Sequence, residues 1–292
     1  MSSLELVKLT ALMERTSGVS EVEIGLIDGP VAVQHADLAG EHWREIPGKN
    51  AASCTRANSN ACLHGTFVAG ILAAKRGSPA PAICPACTLL IRPVFTEVGA
   101  GNTRLPSATP QELAVAIIDC VRAGARCINL SLALASPSSK GERELEQALD
   151  HAAKRGVIVV AAAGNQGTLG STAITRHSSV IPVVACDLRG SPLNDSNLGS
   201  SIGRRGLRAP GEAITSLGAD GRPLTLHGGT SAATPFVTGA IALLWSIFPT
   251  ATAAQVRFAI TEGDAPRRRT VVPPLLNAAA AYRFIAAAQT SR

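Results

Sequence analysis

Aromatic and charged side chains are scarce in this chain. Two Trp, one Tyr and six Phe make up 3% of its 292 residues, and Asp, Glu, Lys and Arg together only 16%. The densest basic runs, Arg204-Arg205 and Arg267-Arg268-Arg269, have no aromatic neighbours on which bases could stack. Despite a net charge of +6, such runs read as solvated loop surface, so no nucleic-acid partner is expected. No apolar run reaches the roughly 20 residues that span a bilayer, so no membrane partner is expected either. The opening Met1-Ser2-Ser3-Leu4-Glu5 lacks the basic-then-apolar pattern of a secretory signal. The expected location is therefore the cytoplasm, although a chain already trimmed of a signal would look the same.

What is abundant is small and apolar. Hydrophobic residues reach 46%, with 27 glycines, which excludes a disordered chain and suits thin strands with closely packed helices. The length permits one or two domains. With no internal repeat and no dividing linker, a single domain over residues 1–292 is expected, residues 1–20 forming a helical extension.

Glu5 to Arg15 carries Leu6, Leu9, Leu12 and Met13 at helical spacing. Val22 to Ile27 is a short strand that delivers Asp28 at its end. A helix is expected from His64 to Ala74, a strand from Thr88 to Phe95, a helix from Pro110 to Ala123 and a strand from Cys127 to Leu134. Glu142 to Arg155 is an amphipathic helix. Val157 to Ala163, an unbroken apolar run, is a buried strand, and Val180 to Cys186 another. Ser231 to Phe248 is a long apolar helix and Ala253 to Thr261 a shorter one. Such alternation implies βαβ units: an α/β fold with a mostly parallel central sheet flanked by helices. Catalytic groups in such sheets gather at the carboxyl ends of the strands.

Three segments carry chemistry. Ile24-Gly25-Leu26-Ile27-Asp28-Gly29-Pro30 sets an acid at a strand tip. His64-Gly65-Thr66-Phe67-Val68-Ala69-Gly70 opens a helix with a histidine. Gly229-Thr230-Ser231-Ala232-Ala233-Thr234-Pro235 starts an apolar helix with a serine. A serine hydroxyl needs a base to attack a carbonyl, histidine is that base near neutral pH, and a carboxylate fixes its tautomer. Unpaired N–H groups at a helix start can face a developing oxyanion. Taken singly, each residue has a plainer role: a turn aspartate, a packed histidine, a serine N-cap.

Together the segments resemble the subtilisin-like serine protease family, from about Val22 to Ala281. The resemblance implies a three-layer fold and a catalytic triad of Asp28, His64 and Ser231. Ala162-Ala163-Gly164-Asn165 is similar to the family's oxyanion-hole motif, which gives Asn165 that role and sets Ala163 and Gly164 beside the substrate. Asn129 to Leu134 resembles the family's substrate-binding edge, so that Ser131, Leu132, Ala133 and Leu134 would pair with an extended peptide by β-augmentation. Many relatives have glycine where Ala133 and Leu134 stand, which implies a pocket narrowed toward small or moderate apolar groups. Gly29-Pro30 departs from the Ser or Thr that many relatives carry after the aspartate. The Asp28-Gly29-Pro30-Val31 form resembles the cyanobactin maturation proteases, as do Gly77-Ser78-Pro79 through Cys87 and Ile91-Arg92-Pro93-Val94-Phe95. That likeness implies a precursor peptide as substrate, cut between leader and core. The alternatives are a general degradative protease and a non-catalytic peptide-binding module on a protease fold.

No cofactor or metal is expected. Lys75 to Pro85 lacks the oxygen ligands of the calcium loop found in many secreted members. Of the seven cysteines, Cys120, Cys127 and Cys186 lie in apolar segments as small buried hydrophobes. Cys54 and Cys62 flank a polar loop where a local bridge is feasible. Cys84-Pro85-Ala86-Cys87 is open to three readings: structural thiols or a disulfide, half of a zinc site, or a redox pair.

Overall fold

The computed structural model describes residues 1–38, 42–97, 108–132, 142–262 and 270–290. In chain order the elements begin with α1 (Ser3–Leu6), α2 (Thr10–Met13), β1 (Glu23–Asp28), β2 (Trp43–Glu45) and α3 (Asn60–Ala73). Next come β3 (Thr88–Pro93), α4 (Pro110–Arg122), β4 (Cys127–Leu130), α5 (Arg143–Lys154), β5 (Ile158–Ala162), α6 (Ala173–Arg176) and β6 (Val180–Cys186). The last third holds α7 (Ser200–Arg205), β7 (Leu207–Pro210), β8 (Glu212–Leu217), β9 (Pro223–Gly228), α8 (Thr230–Ile247), α9 (Ala253–Glu262) and α10 (Ala278–Thr290).

Seven strands form one parallel sheet in the order β2-β3-β1-β4-β5-β6-β7, and β8 and β9 form a separate antiparallel hairpin. Apolar residues fill both faces of the sheet. Ile24, Leu26, Leu89 and Ile91 pack with Phe67, Ile71, Phe236 and Ile241 of α3 and α8. On the opposite face, Ile27, Ile128, Leu130 and Val159 meet Leu113, Ile117, Leu145 and Leu149 of α4 and α5. Burial of strands on both faces is what drives their continuous apolar sequence. The resulting helix–sheet–helix sandwich is the expected α/β architecture.

From β1 the chain passes to β2 at the sheet edge, comes back to lay β3 between the two, and then crosses to place β4 on the other side of β1. The switch in direction opens a crevice past the carboxyl ends of β1 and β4. Asp28 closes β1 there, and Ser131 follows β4. On the face beyond, α8 is buried from Ala232 to Trp245. That burial explains a helix apolar on every side.

Two expectations need correction here. Instead of one helix over Glu5 to Arg15, α1 and α2 are separated by Lys8 in the left-handed region, φ 57°. The break lets Val7, Leu9 and Leu12 all enter the main core, and the Val7 carbonyl accepts from the Ala278 N–H at 3.0 Å. The opening segment is thus part of the packed body, against α10 and the far end of α8. There Phe248 and Tyr282 lie 5.3 Å apart, and the Arg15 guanidinium sits 4.5 Å over Tyr282. The second correction concerns β4, which ends at Leu130 and not Leu134. It lies between β1 and β5, so its own residues offer no free edge.

Candidate active site

Asp28 is fully buried at the tip of β1, and its Oδ1 lies 2.6 Å from His64 Nδ1. The same oxygen accepts the Gly29 N–H at 2.7 Å. A carboxylate can only accept, so the proton between the two side chains sits on Nδ1 and Nε2 is left with a free lone pair. Burial pulls the His64 pKa down, but the charge and hydrogen bond of Asp28 outweigh it and raise the value above the ordinary 6.5. His64 keeps 25% of its side chain exposed, so the imidazole reaches the crevice.

His64 does not open its helix, as the sequence reading has it; α3 starts at Asn60, capped by the Ser59 hydroxyl on the Cys62 N–H at 3.1 Å. The histidine therefore stands in the second turn, where the helix is rigid. Two glycines permit its approach to β1. A Cβ on Gly29 would lie 2.0 Å from the Ala61 carbonyl, and one on Gly65 2.4 Å from the Pro30 carbonyl. The departure at Gly29 thus has a steric reason. Thr66 adds a tie, its hydroxyl accepting the Ala32 N–H at 2.9 Å.

Ser231 occupies the first turn of α8, which packs against α3. Pro235, four residues on, has no N–H to give to the Ser231 carbonyl. The Ser131 hydroxyl donates to that carbonyl at 2.9 Å instead, and accepts from Asn129 Nδ2 at 2.8 Å. Asn129 Oδ1 in turn accepts the Thr238 hydroxyl at 2.9 Å. Ser131 is thereby a strut between β4 and α8.

Asn165 follows β5 and is exposed. Its Oδ1 accepts both the N–H and the hydroxyl of Thr230, each at 2.9 Å. Its Nδ2 lies on the same side of Gly229 as the nucleophile candidate: a Cβ there would be 3.5 Å from Asn165 Nδ2 and 3.6 Å from Ser231 Oγ. The preceding Gly164 adopts φ 105°, and its N–H donates to the Thr230 hydroxyl at 3.2 Å. Thr230, absent from the sequence-derived site, therefore organises the whole junction.

The expected substrate-contact residues divide. Ser131 is buried against the start of α8, and Leu132 is buried in the cluster under α4 and α5. Ala163 and Gly164 have their main chains engaged internally: Ala163 N–H on the Val183 carbonyl, and the Gly164 carbonyl under the Asn197 N–H. Ala133 and Leu134 lie outside the described residues. Cys54 and Cys62 form a disulfide, so neither can supply a zinc thiolate. Cys84 and Cys87 are buried free thiols; Cys84 is held well above the ordinary range by its hydrogen bond to Cys87 and by burial, and the same bond draws Cys87 down.

The Peptidase_S8 profile of the subtilase family matches residues 20–269. The chain belongs to the subtilase family. Subtilisin DY of Bacillus licheniformis is 33% identical over 243 residues, covering 82% of this chain and 81% of that protein. Subtilisin NAT of Bacillus subtilis subsp. natto is 30% identical over 259 residues, but this subtilase spans only 62% of its length. A mutant form of the protease domain of PatA superposes with a TM-score of 0.84 at 30% identity, covering 93% of this chain and 97% of that one. The prenylagaramide maturation protease PagA superposes at 0.81 and 27% identity, covering 94% and 98%. As a subtilase, the protein is a serine endopeptidase whose substrate is a peptide or protein.

Proposed function

We propose that Asp28, His64 and Ser231 form the catalytic triad, that Asn165 stabilises the oxyanion, and that the substrate is a precursor peptide cut between leader and core. The observation that carries the reading is the 2.6 Å contact between Asp28 Oδ1 and His64 Nδ1, which leaves Nε2 as the base. Ser231 Oγ attacks the scissile carbonyl carbon as its proton moves to His64 Nε2. The carbonyl oxygen takes the negative charge and is held by Asn165 Nδ2 and the Ser231 N–H. Collapse breaks the C–N bond, and His64 returns the proton to the leaving amine. Water then hydrolyses the acyl-enzyme by the same route, freeing the carboxylate product and Ser231.

The precursor-peptide part rests on the likeness to the PatA protease domain and to PagA, which extends over nearly the whole of each chain. The likeness to subtilisins at similar identity supports a second reading, a protease of broad range. Intact mass after fluorophosphonate treatment tests the triad: one adduct on the wild type and none on Ser231→Ala. No adduct on either would move the non-catalytic module to the front. Incubation with unfolded casein and with leader–core peptides separates the two substrate readings, a single cut in the peptides with intact casein being the expected outcome.

A further inference from the structure

Glu97 lies four residues beyond the end of β3 and grips a loop distant in sequence. One oxygen of its carboxylate accepts the Thr55 N–H at 2.9 Å and the Thr55 hydroxyl at 2.6 Å. The other accepts the Arg56 N–H at 2.8 Å and the Ser59 hydroxyl at 3.1 Å. These hydrogen bonds outweigh the partial burial and hold the carboxyl below the usual carboxylate range, so it is ionised and accepts only.

The grip falls on the elements that aim His64. Ser59 is the N-cap of α3, its hydroxyl accepting from Cys62 while it donates to Glu97. Cys62 is bonded to Cys54, whose N–H donates to the Val31 carbonyl at 3.1 Å, three residues past Asp28. The segment leading to Glu97 is tied to Asp28 as well, its Val94 N–H donating to the Asp28 carbonyl at 2.8 Å. Residues 94–97 therefore bridge the main chain of Asp28 to the first turn of the helix that bears His64. This is a second route between the two side chains, independent of their own hydrogen bond.

We propose that Glu97 is a positioning residue that holds His64 in register with Asp28 by clamping the cross-linked N-terminus of α3. The inference rests on the triad reading above. It is specific in that the clamp acts on the geometry of proton transfer and not on substrate contact. Small displacements of a catalytic group of about 1 Å can cost on the order of 10²-fold in rate.

The test compares wild type, Glu97→Ala, Glu97→Gln and Thr55→Val. For each, the second-order rate of fluorophosphonate labelling, kcat and KM on a cleaved peptide, and the melting temperature are measured. Glu97→Ala is expected to lower the labelling rate and kcat by about 10- to 100-fold with KM within about twofold. Glu97→Gln, which keeps an acceptor oxygen, recovers part of that loss, and Thr55→Val, which removes one hydroxyl, loses a smaller part. A lowered melting temperature with wild-type labelling rate per folded molecule overturns the proposal, as does a loss confined to KM. If Glu97→Ala does not fold, a wild-type labelling rate in Thr55→Val together with Glu97→Gln overturns it equally. A wild type that is not labelled at all sinks the triad reading itself, a result distinct from labelled variants that match a labelled wild type.

Discussion

The Thr230 main-chain N–H donates to Asn165 Oδ1, and that bond decides which end of the amide faces Ser231. A main-chain N–H can only donate, so the oxygen must turn toward Thr230 and the NH₂ toward the side of Ser231. The orientation is thus set by chemistry within the fold, before any substrate arrives.

Replacing Asn165 by alanine removes the proposed oxyanion donor together with the acceptor of the Thr230 N–H and hydroxyl. Loss of one such donor, a magnitude established within this family, lowers kcat by about 10²–10³. KM should change little. Asn165→Asp keeps an acceptor for Thr230 but sets a negative charge where the oxyanion forms, and its kcat should fall at least as far. Steady-state kinetics on one cleaved peptide reads both.

The raised pKa of His64 makes activity and stability depend on pH in opposite senses. As the proposed base, His64 must be neutral, so kcat/KM is expected to fall as pH drops through the raised value. The protonated pair with Asp28 contributes stability that is complete below 6.5 and is lost as pH rises through the folded-state value. In Asp28→Asn the burial remains without the charge, so the acid limb of kcat/KM should move below 6.5 while kcat falls by about 10⁴. A pH–rate profile with an unchanged acid limb would contradict this account.

Ser131→Ala takes away the hydroxyl that serves the Ser231 carbonyl, and Pro235 has no N–H to take over. Leaving this half-buried carbonyl unsatisfied costs at most about 1–3 kcal/mol. Denaturant melts should show that loss, and the labelling rate of Ser231 should drop with it. A wild-type stability would mean that α8 does not depend on this strut.

Under denaturing conditions without reductant, thiol titration should count five free cysteines, since only Cys54 and Cys62 are bonded. With reductant the count rises to seven. The cross-link closes a short loop, which by chain entropy is worth about 2–3 kcal/mol. Cys54→Ser with Cys62→Ser should lower the melting temperature accordingly, and the midpoint in reductant should match that of the double variant.

Much of this was legible in the sequence because the elements are buried and locally consistent. β6 runs over Val180–Cys186 as its apolar run implies, and α8 is displaced by one residue from the expected helix. Elements whose signal is weak went unseen. The β8–β9 hairpin alternates only loosely, although Asp220-Gly221 between its strands is a turn signal that could have revealed it. The broken opening helix follows from long-range packing on Ala278, which spacing within residues 5–15 does not contain. The motif residues Asp28, His64 and Ser231 could be read directly, but their supports could not. Thr230 acts on a side chain 65 positions away, Ser131 on a carbonyl 100 away, and Glu97 on hydroxyls about 40 away. Pairings of that kind are created by topology.

α2 and α10 meet at the pole where α8 finishes, around Tyr282 and Phe248, whereas Ser231 stands at the other end of α8. Eighteen helical residues put about 27 Å of packed protein between the two. A surface or carrier attached through the exposed face of α10, around Arg283, would therefore present the crevice outward, and immobilised enzyme should keep its turnover on peptides too large to diffuse beneath it.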